Sequence, residues 1–213
     1  MAPAEEEVDE IRVVIADDHP SFARGVGLLL NSMAQEIELV GTAGSAAEVI
    51  KLVETSVPDL VLMDIQMPGG GIEATGQISR EFPAVKVLML TVSEDDEDIF
   101  DAMKAGASGF LPKQVEVDEL LAAIRAVHRG QVVVSPLVAD KLLRSAPDER
   151  AELTEVEHSL LKLVAEGRDN PDIGREMGMS EATVKRVLKN VVEKLHLHNR
   201  VQAAVYAAKK GWV

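Results

Sequence analysis

Residues 59–68 read DLVLMDIQMP, and the first six of them decide the fold. Residues 60–63 (LVLM) are apolar without interruption, as expected of a strand in a parallel sheet covered on both faces. Asp64 then stands at the strand's carboxyl end. Similar short runs occur at 11–16 (IRVVIA), 39–43, 85–90 (VKVLML) and 109–111. Between them, apolar residues recur with helical spacing over 22–33, 46–54, 72–82, 94–104 and 117–129. Ser45 and Glu48 have the spacing of a capping box. Pro58, Pro68, Pro83 and Pro112 fall between elements, where a missing N–H does no harm. Five βα units predict an α/β doubly wound five-stranded parallel sheet over 11–129, with its functional crevice at the carboxyl ends of the strands.

The 213 residues leave room for a second, smaller domain. A hydrophobic fraction of 46% and a charged fraction of 27% exclude wholesale disorder. No apolar run approaches the ~20 residues of a membrane-spanning helix. Residues 1–10 are acidic, without the basic start or apolar core of a secretory signal, and read as a disordered tail. The absence of cysteine excludes disulfides, thiolate zinc sites and cysteine nucleophiles, and suits a cytoplasmic location.

The net charge of −14 is unevenly distributed. Residues 1–150 hold 12 Lys/Arg against 27 Asp/Glu, whereas 151–213 hold 10 against 9. Residues 130–150 read as a linker. Beyond them the strand signal vanishes. Thr154 and Glu157 form a capping box, Asn170–Pro171 reads as an N-cap with proline at the first helical position, and Ser180 and Asn199 cap two more helices. The short helix, tight turn and longer basic helix at 181–195 predict a helix-turn-helix within an all-α four-helix domain at 151–213.

The strand ends gather chemistry. Asp17 and Asp18 follow the first strand, Asp64 the third, Thr91 the fourth and Lys113 the fifth. Taken singly, each fits a plain strand cap or solvated loop charge; the ordered set points to a site. Crowded carboxylates need a cation, and an all-oxygen donor set suits Mg2+. A carboxylate is also a nucleophile toward phosphorus, and lysine and threonine can hold the transferred phosphoryl group.

Residues 13–20 (VVIADDHP), 59–74 (DLVLMDIQMPGGGIEA), 90–91 (LT) and 105–113 (AGASGFLPK) resemble the receiver domain of bacterial two-component response regulators. The resemblance implies that Asp64 is the phosphoacceptor and that Asp17, Asp18, Asp64 and the Gln66 backbone carbonyl hold Mg2+. It makes Thr91 and Phe110 a switch pair: the hydroxyl turns toward the phosphate and the ring fills the vacated space. Phe110 stands where tyrosine is common, and Val92 where a small residue is usual. Gly69–Gly70–Gly71 replaces an acidic–glycine pair, an expected loosening of that loop.

On the basic helix, Lys185, Arg186 and Lys189 share a stripe with Thr183 and Asn190, while Val184, Val187, Leu188, Val191 and Leu195 form the inward set. Residues 152–167, 172–185, 190–195 and 199–207 resemble the LuxR-type helix-turn-helix of the NarL/FixJ subfamily. By that resemblance Lys185, Arg186 and Lys189 face bases, with Asn190 nearby. Thr183, Lys194 and Arg200 either contact the DNA backbone or brace the domain. Val187 and Pro171 replace a common histidine and a common basic residue. His196–x–His198 reads as a cationic helix end and Glu94–Asp98 as a solvated helix start.

These readings together predict a transcription regulator, not an enzyme. A sensor histidine kinase phosphorylates Asp64, and phosphorylation switches homodimerisation and binding to double-stranded DNA, with the acidic receiver masking the basic helix by charge beforehand. One alternative is a phosphorylation-independent regulator with a fixed dimerisation receiver. A phosphatase is disfavoured because Gln66 stands where a second acid would be needed.

Overall fold

The computed structural model describes residues 10–92, 96–134, 153–195, 197 and 199–213. The acidic tail, the start of the Glu94–Asp98 run, most of the linker, His196 and His198 lie outside the described residues. In the first domain, strands β1 (Ile11–Ala16), β2 (Ile37–Ala43), β3 (Leu60–Asp64), β4 (Lys86–Thr91) and β5 (Gly109–Pro112) alternate with helices α1 (Pro20–Met33), α2 (Ala46–Ser56), α3 (Gly71–Glu81), α4 (Asp96–Ala105) and α5 (Val117–His128). The strands are parallel in the order 2-1-3-4-5, and the chain reverses its direction of winding at β1.

The sheet has six strands rather than the expected five. Val133–Val134 (β6) pairs parallel with Gly109 and Phe110 of β5, inside the stretch read as linker. Two residues are too short to produce an alternating pattern, so only the neighbouring strand reveals them.

The two faces of the sheet divide the apolar residues by parity, as a pleated strand must. Val14, Val61, Met63, Val87, Met89 and Phe110 face α2, α3 and α4. Val13, Ile15, Leu60, Leu62, Leu88 and Leu90 face α1 and α5. Each such fully buried side chain contributes about 1.5–3 kcal/mol of transfer free energy. Both faces are covered, which explains why the middles of the central strands are apolar and their polar residues (Arg12, Asp64, Lys86, Thr91) stand toward the ends.

Helices α6 (Glu155–Ala165), α7 (Asn170–Met177), α8 (Glu181–Lys194) and α9 (Arg200–Lys209) form the second domain around Leu160, Leu161, Ile173, Val184, Leu188, Val191 and Tyr206. Thr154 and Glu157 make the complete reciprocal capping box. At α2 the box is displaced: the Ser45 hydroxyl accepts from the Glu48 N–H, but Glu48 reaches back to the N–H of Gly44. The N-cap of α7 is Asp169, not Asn170. Asp169 accepts the Asp172 N–H at 2.8 Å, which frees the Asn170 side chain for Arg200. Gly178 ends α7 with φ 66, and Ser180 caps α8 two residues later, giving the tight turn of a helix-turn-helix. Among the described residues no helix is long and apolar enough to cross a membrane.

The two domains touch. Val201 and Val205 of α9 join the apolar layer under α4. The Asn199 amide donates to the carbonyls of Met103 at 2.7 Å and Ala107 at 3.0 Å, while its oxygen caps α9 by accepting the Gln202 N–H.

Candidate functional site

Asp17, Asp64, Thr91 and Lys113 meet where β1, β3, β4 and β5 end. Asp17 and Asp64 are buried, at 4% and 3% exposure, and Thr91 is buried beside them. The Lys113 ammonium lies 2.7 Å from Oδ2 of Asp17 and 2.8 Å from Oδ2 of Asp64. Its backbone N–H donates to the Thr91 carbonyl, which ties β4 to the lysine. Phe22 places its ring 5.1 Å from the same ammonium.

Burial pushes the Asp64 carboxyl above the ordinary aspartate value; Lys113 and the Gln66 N–H offset part of that, and Asp17 adds to it. Desolvation pulls the Lys113 ammonium down, but its two carboxylates more than reverse this and hold it above the usual lysine range. A single ammonium is shared between the two buried Oδ2 atoms. Carboxylates this buried with acceptor capacity to spare call for a further cation. Asp18 and His19 complete the cluster, in which the candidate ligand atoms all lie within 4.8 Å of one another. Three carboxylates fit Mg2+, which prefers oxygen over nitrogen donors.

His19 escaped the sequence reading. Its Nδ1 sits 2.7 Å from Asp18 and its N–H donates to Asp17 at 2.8 Å, so it orients both carboxylates from the start of α1. The DDHP spelling placed it there, but nothing in the pattern separated it from an ordinary cap.

The glycine triplet does not merely loosen its loop. Gly70 has φ 79, and a Cβ on Gly71 would come within 1.8 Å of the Asp64 carbonyl oxygen. Only glycine lets α3 begin directly against the phosphoacceptor candidate. Phe110 is completely buried under the sheet, so its ring already has the inward placement that the resemblance assigns to the switched state.

On α8, Val184, Leu188, Val191 and Leu195 are buried as expected, and Val187 is partly buried against them. Lys185, Arg186, Lys189 and Asn190 are exposed. Lys185 pairs with Glu181 at 2.6 Å, and Thr183 is bound to the capping Ser180 hydroxyl at 2.8 Å. Lys194 braces the domain through Glu157 at 2.9 Å, and Arg200 does so through Asn170 and the Arg168 carbonyl.

At the domain contact itself the local charges are alike. Lys185 and the receiver residue Lys86 line the same interdomain cavity, and among the described residues around Lys86 it is the like charges Lys185 and Arg200 that act on it. Sequence composition averaged the acidic surface of the first domain; the contact selected one of its few cations.

Residues 13–125 match the family described as response regulator receiver domain, and residues 151–207 the luxR family of bacterial regulatory proteins. With a receiver and this helix-turn-helix in one polypeptide, the protein is a two-component response regulator with a DNA-binding output, and the chain belongs to the NarL/FixJ subfamily. It is similar over nearly its whole length to LiaR of Bacillus subtilis, with 37% identity covering 92% of this chain and 96% of LiaR. NarL of Escherichia coli is 36% identical, covering 91% of this chain and 93% of its own. The crystal structure of ChrA, a response regulator from a heme-sensing two-component system, aligns with a TM-score of 0.54 and 31% identity over 96% of this chain and all of that one.

Proposed function

We propose that Asp64 accepts a phosphoryl group from a sensor histidine kinase and that the acyl phosphate controls dimerisation and DNA binding by the second domain. In this step an Asp64 oxygen attacks phosphorus, the bond from phosphorus to the kinase imidazole nitrogen breaks, and the electron pair leaves with that nitrogen. Asp17, Asp18 and Asp64, with the Gln66 carbonyl, would hold Mg2+, which when bound supplies neutralisation of the charge developing on the phosphoryl oxygens. Lys113 then transfers its ion pair from the Asp64 carboxylate to the phosphate, and Thr91 turns its hydroxyl to the same group. The buried Asp17–Asp64 pair bridged by Lys113, with Asp18 beside it, carries this reading, because three clustered carboxylates facing one ammonium leave negative charge for a divalent cation to neutralise.

Lys185, Arg186, Lys189 and Asn190, with Thr183 at the helix start, are the proposed DNA contacts, and a dimer presents two such helices to adjacent half-sites. The alternative is a receiver that serves as a fixed dimerisation module. Intact-mass spectrometry and light scattering, with Mg2+ and a small phosphodonor, separate the two. Labelling and a rise in mass in wild type but not in Asp64→Asn are expected; an unlabelled wild type overturns the first reading.

A further inference from the structure

The amino-terminal edge of the sheet carries a second charge cluster, remote from the carboxylates. Lys86 opens β4, and the cavity of about 290 Å³ beside it is also lined by Lys185 of α8 and Arg200 of α9. Lys86 is half-buried, and among the described residues no carboxylate pairs with it. Desolvation first, and then Lys185 and Arg200, hold its ammonium below the ordinary lysine value. Arg200 has a buried Nε without a hydrogen-bond partner, and burial presses its guanidinium down to about 10, still charged at neutral pH. The nearby acids are already engaged. Glu181 binds Lys185, and Asp169, which caps α7, also offsets part of the Arg200 charge.

In a chain with 36 acidic and 22 basic residues, three cations share one cavity. Glu181 and Asp169 offset two of them, but the half-buried Lys86 has no carboxylate partner among the described residues, a charge that an anionic occupant would compensate. We propose that this seam binds a phosphate-class oxyanion, held between Lys86 of the receiver and Lys185 and Arg200 of the output domain. Lys86 and Lys185 supply point charges, and the Arg200 Nε–H supplies a directed donor. Such an anion converts a repulsive contact into a bridge. It stabilises the docked arrangement and withdraws Lys185 from DNA, so it opposes DNA binding independently of Asp64. The inference goes beyond the phosphorylation reading and survives its failure.

Calorimetric titration of the full chain with inorganic phosphate or pyrophosphate, in EDTA and at matched ionic strength, tests it. EDTA removes Mg2+ and with it any metal-assisted phosphate binding at the carboxylates. Saturable binding is expected, weakened at least about tenfold by Lys86→Gln and equally by Lys185→Gln, the signature of a site shared between domains. Arg186→Gln, exposed on the same helix but away from the cavity, should bind as wild type. Phosphate should also lower wild-type DNA affinity more than chloride does. Non-saturable binding, or equal loss in Arg186→Gln, would reduce the effect to anions coating a basic helix and overturn the proposal. Should Lys86→Gln fail to fold by circular dichroism, Lys185→Gln against Arg186→Gln decides alone.

Discussion

Strand β4 begins at Lys86 and ends at Thr91, and so connects two clusters of like charge with opposite sign. At its carboxyl end, three aspartates crowd together and Lys113 is inserted between two of them. At its amino end, Lys86 faces Lys185 and Arg200 across the domain boundary; Glu181 and Asp169 offset those two, whereas no described carboxylate pairs with Lys86. The first cluster is built within one domain, so its counter-charge folds in with it. The second exists only when two domains touch, and either domain can relieve it by separating. Internal compensation makes a durable site, whereas uncompensated charge at a seam makes a contact that a ligand or a partner can tip. Six residues of extended strand span about 20 Å, too far for screened charges to sense each other directly.

Asp64→Asn should produce the largest effect and break the comparison at its acidic end: labelling by a phosphodonor is lost entirely, as measured by intact mass. Lys113→Met comes next. It strips the buried carboxylates of their counter-charge and should destabilise the metal-free receiver by about 3 kcal/mol in urea titrations. Added Mg2+ should restore most of this and bind more tightly than in wild type, since the ammonium no longer competes for the same oxygens.

At the seam, Asn199→Ala removes the α9 cap and both clamps on the Met103 and Ala107 carbonyls, each interaction being worth about 1 kcal/mol. Asn199→Ser keeps a capping oxygen but cannot donate both clamps. The difference between the two isolates the cap, and Asn199→Ser against wild type isolates domain docking; both should raise DNA affinity in gel-shift titrations. No rise in either would show that docking does not restrain the helix-turn-helix.

The smallest effect separates the domains by pH. Lys194 and the Thr154 backbone hold the Glu157 carboxyl below its usual value; for Glu36, its own backbone hydrogen bond does so first and Arg125 second. A carboxyl whose folded value lies below its unfolded one contributes stability above the unfolded value, and that stability is lost as the pH falls through the folded value. Glu157→Gln should therefore cost about 1 kcal/mol near neutrality and progressively less in acid, with the loss confined to melting of the second domain.

Much of this was legible in the chain. Apolar runs ending in Asp17, Asp64, Thr91 and Lys113 fixed both the sheet and the convergence at its edge, because parallel strands covered on both faces leave their carboxyl ends as the place for polar groups. The caps at Thr154, Ser180 and Asn199 were equally readable, because capping is decided over four consecutive residues. What escaped was whatever depends on a distant neighbour. Val133–Val134 is a strand only because β5 offers an edge, and Asn170, with Asp169 as the cap, is left to accept from Arg200. The secondary elements and the gathering of Asp17, Asp64, Thr91 and Lys113 at one sheet edge were readable from the chain alone, since they follow from local periodicity and from which residues can share a strand end. Only the tertiary structure decided that Phe110 is already buried, that Asn199 clamps the receiver, and that Lys86 meets Lys185 and Arg200. Those are contacts between segments far apart in the chain, chosen by how two finished surfaces fit, and no local pattern encodes such a choice.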